Sequence, residues 1–257
     1  MAEAGVVGGA AGARSAPRSG LRALHLLLAA QSAIVILVGV NRRTDLTVGY
    51  VASNEFLRWV DLINMLALPM ASVVASVLLK RWLEARVGGS EASERGEQMR
   101  WALPVLDIVF LLGVYVLAAS YGTHEVTNYL HVRFCDGDSG RLCEIIAFND
   151  DSFSHWLFFT GFVVINLVIL ALQALARATP DARGADLALV SVNALFIASG
   201  IFVNLAFEET GFDLPVVALL FVVSAALWWR ARRRPLFVYY AVAYGVGLFA
   251  TGLYKVT

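Results

Sequence analysis

Residues 101–120 read WALPVLDIVFLLGVYVLAAS. A single carboxylate, Asp107, interrupts a run that is otherwise apolar, small or hydroxylated. A helix of that length rises about 30 Å, the thickness of the hydrocarbon core of a bilayer. The run does not alternate apolar with polar residues, which argues against a membrane β-strand. Lipid offers no water to satisfy backbone amides, so the segment is predicted to be a transmembrane helix.

Six further runs lie at 21–40, 62–83, 156–176, 187–207, 215–229 and 236–254, of which 215–229 is short and becomes adequate if Trp228 and Trp229 sit in the interface. The chain of 257 residues is 59% hydrophobic and 16% charged, with a mean hydropathy of +0.70. A soluble domain carries about 25% charged residues. The composition therefore argues against a soluble globular protein and against a disordered one. Twenty Lys+Arg balance twenty Asp+Glu, so no nucleic-acid partner is expected. The expected fold is all-α, a multi-pass bundle of seven transmembrane helices over 21–257 in the cell membrane. Residues 1–20, rich in Gly, Ala and Ser, read as a disordered cytoplasmic tail.

Basic residues in the connections set the orientation. One set of connections holds Arg14, Arg18, Arg22, Lys80, Arg81, Arg86, Arg95, Arg100, Arg177, Arg183, Arg230, Arg232, Arg233 and Arg234. The other holds mainly acids, with Arg42, Arg43 and Arg58 as exceptions. This bias predicts a cytoplasmic N-terminus and an extracytoplasmic C-terminus. Cys135 and Cys143 then fall in one outer loop, bracketing the turn-forming stretch Asp-Gly-Asp-Ser-Gly. A disulfide pinning loop 135–143 is expected in that oxidising compartment.

Polar residues within the spans recur at helical spacing, which places them on one face of each helix. Examples are Asp61, Asn64, Ser72 and Ser76 in the second span, and His155, Asn166 and Gln173 in the fourth. Asn193, Asn204 and Glu208 do the same in the fifth. Hydrogen bonding between helices explains such stripes without any catalytic role.

Three of the four histidines lie between 124 and 155. His124 and His131 follow the third span, and His155 opens the fourth. Adjacent spans run in opposite directions, so these residues share a depth with Asp151, Glu208 and Glu209. The third helix either breaks at Gly122-Thr123 or projects beyond the core as far as Phe134. Imidazole and carboxylate together suit zinc or iron. His124, His131, His155, Glu208 and Asp151 are the candidate ligands, and Glu125 and Glu209 the candidate bases for a metal-bound water.

A site at that depth would meet membrane lipid, so an integral membrane enzyme with a lipid or lipid-like amphiphilic substrate is the leading expectation. A transporter or channel using the polar stripes is one alternative, and a non-catalytic scaffold or sensor is another. Position 128 is Asn, so His124-Glu125 does not begin a zincin His-Glu-x-x-His motif. Asp150, Asp151 and Ser152 also suit the capped start of the fourth helix.

Overall fold

The structure, a computed structural model, describes residues 20–87, 94–135, 137, 140–207 and 211–257, with only the backbone described for 94–100. Among these residues seven helices are long and apolar enough to cross a membrane, and there is no strand. They are α1 (Arg22–Arg43), α2 (Trp59–Glu84), α3 (Glu94–Phe134), α4 (Arg141–Leu175), α5 (Ala185–Phe207), α6 (Asp213–Arg230) and α7 (Pro235–Val256). The expected tail lies outside the described residues but for Gly20.

α3 runs unbroken through Gly122 and Thr123, which settles the choice between projection and a break. The fourth span departs most from expectation. It starts at Arg141 rather than near residue 156. No Gly or Pro interrupts residues 141–160, so nothing stops the helix from extending toward the loop. Asp150, Asp151 and Ser152 therefore lie inside a helix and do not cap one. They sit in a wider π-helical turn, Phe148–Phe153. α2 contains a second such turn at Ile63–Ala67. Each π turn shifts the helix register locally, a feature that recurs at functional sites.

α3 and α4 form an antiparallel hairpin whose tip is tied by a disulfide between Cys135 and Cys143. The hairpin packs closely because glycine lies at its contact. A Cβ on Gly161 would stand 2.6 Å from the Leu117 amide nitrogen and 2.8 Å from the Gly113 carbonyl oxygen. Small residues permit this backbone approach in membrane bundles.

The polar stripes bind helix to helix. Ser32 of α1 donates to Asn193 Oδ1 of α5 at 2.8 Å. Gln31 of α1 donates to Ser76 Oγ of α2 at 3.0 Å. Asn41 Nδ2 donates to Asn64 Oδ1 at 2.8 Å, and Ser120 of α3 donates to the Ser154 carbonyl at 2.9 Å. Asp107, the one charge in the opening stretch, pairs with Lys80 of α2. The apolar core lies between these contacts, from Leu24 and Leu28 on α1 to Tyr244 on α7.

Candidate metal centre

Counted from Trp101 at 1.5 Å per residue, His124 stands about 35 Å along α3 and His131 about 45 Å. The hydrocarbon core is about 30 Å thick. A span that began at Trp101 and ran along the membrane normal would carry these side chains to the edge of that layer or beyond.

On α3, His124, Thr127 and His131 share the face turned to α4. On α4, the π turn directs Asp150 inward, where its side chain is 2% exposed. The three α3 residues converge on this carboxylate. His124 Nδ1 lies 3.0 Å from Asp150 Oδ1, and His131 Nδ1 lies 3.3 Å from Oδ2. Thr127 Oγ1 donates to Oδ1 at 3.2 Å. Ser154 Oγ donates to the Asp150 carbonyl oxygen. Burying a carboxylate is costly unless it is paired, and here two imidazoles and a hydroxyl surround it.

The next residue, Asp151, is exposed. One ligand atom from each of His131, Asp150 and Asp151 lies within 4.8 Å of the others. Ligands about 2.1 Å from a tetrahedral ion stand about 3.4 Å apart. The His131–Asp150 separation of 3.3 Å already fits one edge of such a tetrahedron. Asp151 would close the remaining gap by a side-chain rotation, which its exposure allows. This His/Asp/Asp group could therefore hold a metal ion.

The expected site is thus only partly assembled. His131 and Asp151 come together. His124 reaches the group through Asp150, which lies inside the π turn and not at a helix cap. His155 packs its ring against that of His124, with centroids 5.4 Å apart. Glu208 and Glu209 lie outside the described residues.

Glu125 turns the other way. Successive helix residues diverge by about 100°, so Glu125 leaves the α4 side and meets Arg42 of α1. Its side chain is 2% exposed. Nearby, Arg58 grips Asp61 through Nε at 2.7 Å and Nη2 at 2.8 Å. That two-point hydrogen bond holds the Arg58 guanidinium above its ordinary pKa.

No protein-family description fits the chain, and neither the curated proteins nor the solved structures include a significant match.

Proposed function

We propose that His131, Asp150 and Asp151 hold a divalent cation, and that the protein is an integral membrane enzyme acting on amphiphiles at the membrane surface. One observation carries this reading: the three side chains present donor atoms within 4.8 Å of one another. Three protein ligands on a tetrahedral ion leave one position for water or substrate. The cation would acidify that water and polarise a carbonyl or phosphoryl oxygen.

The donor set has more oxygen than the imidazole-rich set expected from the sequence. Zinc and iron remain suitable, and manganese joins them. His124 serves as a positioning residue, because its contact with Asp150 fixes how that carboxylate faces the ion. Exposed Asp151 is the ligand free to move when substrate arrives. The basic residues gathered in the opposite connections support an outward-facing site. The hairpin's projection supports a substrate whose polar head lies at the surface while its tail stays in the bilayer.

The test combines elemental analysis with a hydrolysis assay on detergent-purified protein. The substrates are ester-linked and amide-linked amphiphiles in mixed micelles. The expected result is about one first-row metal ion per chain, lost in Asp150→Asn and His131→Ala. Hydrolysis should stop on chelation and return with added zinc or manganese. Absence of bound metal, or metal retained by both variants, would overturn the proposal. Bound metal without turnover would remove the enzyme reading and keep the site.

A further inference from the structure

A cleft of about 440 Å³ lies between α2 and α3. Its α3 wall includes Asp107, about 26 Å along that helix from His124, so the cleft is remote from the His/Asp cluster. Its volume falls within the range of about 300–1,000 Å³ usual for ligand sites. On α2 the lining steps from Val73 and Val77 to Lys80, Arg81 and Glu84. On α3 it steps from Val114 and Phe110 to Asp107. Lys80 meets Asp107, so both walls run from an apolar part to a charged part at the same end.

The charges at that end are unevenly matched. Lys80 is buried and meets both Glu84 and Asp107, so one cation is shared by two carboxylates. Arg81, the next residue, is exposed and pairs with no carboxylate among the described residues. The Lys80 group thus carries a surplus negative charge, and Arg81 brings an unpaired positive one.

Asp107 is the unusual member. Its Oδ1 meets Lys80, yet 54% of its side chain stays open. Its α3 neighbours Ile108 and Leu111 are 61% and 67% exposed, as side chains facing lipid are. A half-open carboxylate among such residues is costly in a membrane unless a polar partner reaches it.

Water in the cleft would solvate the carboxylate but wet the valine walls. An amphiphile suits both parts, with its tail on Val73, Val77 and Val114 and its head among the charges. A head with a phosphate alone would face two carboxylates, and a trimethylated ammonium has no N–H to donate to Asp107. A head with a phosphate and a primary ammonium matches both surplus charges. Its phosphate oxygens accept from the Arg81 guanidinium, a strong charge-assisted contact, and its ammonium donates to Asp107.

We propose that the α2–α3 cleft binds one phospholipid with a primary-amine headgroup, its phosphate on Arg81 and its ammonium on Asp107. No residue of the His/Asp cluster takes part, so the proposal is independent of the metal reading.

The test counts lipid retained on the full chain by native mass spectrometry from detergent micelles. Phosphatidylethanolamine, its N-methyl and N,N-dimethyl forms, phosphatidylcholine and phosphatidylglycerol compete in pairs, all with the same acyl chains. One phosphatidylethanolamine per chain is expected, preferred about tenfold over phosphatidylcholine and over phosphatidylglycerol, as a hydrogen bond to a charged group allows. The preference should shrink with each added methyl group. Asp107→Asn should remove the preference over phosphatidylcholine while both lipids still bind. Arg81→Gln should weaken both lipids alike. Val77→Phe, which narrows the apolar part, should release both, and it serves where Asp107→Asn lacks a cooperative thermal transition. Equal retention of every lipid, meaning unselective solvation of the bundle, would overturn the proposal. So would stronger retention of phosphatidylglycerol, a preference that survives Asp107→Asn, or retention that survives Val77→Phe.

Discussion

The Nδ1 atom of His131 stands 3.3 Å from Oδ2 of Asp150. A partly exposed imidazole on α3 thereby faces a buried carboxylate on α4. The contact joins two helices that are consecutive in the chain and antiparallel in space. Its surroundings make that carboxylate a fixed point around which other groups are arranged.

The two histidines on Asp150 should be separable by metal affinity. His131→Ala removes a ligand and should weaken zinc binding by 100-fold or more. His124→Ala removes an orienting contact, for which a loss of about 10–100-fold is typical. Competition with a coloured chelator measures both. Equal effects would show that His124 is itself a ligand, and no effect of either would remove the centre.

The disulfide spans a sequence separation of 8. Closing so short a loop is worth about 2–3 kcal/mol from chain entropy. The Cys135→Ser/Cys143→Ser double variant should therefore melt at lower temperature than the parent. Its metal affinity should also fall, because the bridge ties the ends of the two helices that carry the ligands. Unchanged melting and affinity would mean that the hairpin tip is held by other contacts.

Gly161→Ala places a methyl group where the Leu117 amide nitrogen lies 2.6 Å away. That atom is backbone and has no rotamer to change, so α3 and α4 must separate. Overpacking of this kind costs about 1–3 kcal/mol. Thermal stability should fall, and metal affinity should fall with it because the ligands lie on both helices. A variant as stable as the parent would contradict the close packing described for the hairpin.

Arg42 and Glu125 form a pair in which Glu125 is 2% exposed and Arg42 is 36% exposed. Arg42→Ala would leave a carboxylate buried without its counter-charge, at a cost of about 2–3 kcal/mol. That lies below the full penalty for a buried pair, because Arg42 remains partly hydrated. Adding Glu125→Gln should restore much of the loss. A double-mutant cycle by thermal denaturation checks this, and additive effects would show that the two residues are not coupled.

Much of this architecture is legible in the sequence. The run 101–120 and its six counterparts correspond to the seven helices that are long and apolar enough to cross a membrane, and Cys135 and Cys143 announce their bridge by loop position. The convergence of His131 with Asp151 follows from antiparallel neighbours reaching one depth. Asp150 stayed hidden for a local reason. An acidic residue before an apolar run reads as a helix cap, and the π turn at Phe148–Phe153 that turns it inward leaves no periodic signature. Glu125 was misplaced for the opposite reason. Its neighbour His124 drew it into the cluster on paper, whereas the helical rotation between them sends it to Arg42.

The central claim is that His131, Asp150 and Asp151 share one cation. X-ray absorption spectroscopy of the zinc-loaded, detergent-purified protein tests it most directly. The account predicts a first shell of one imidazole nitrogen and oxygen donors at about 2.0–2.2 Å, with the imidazole signal lost in His131→Ala. A shell of water alone, or an imidazole signal that survives His131→Ala, would contradict it.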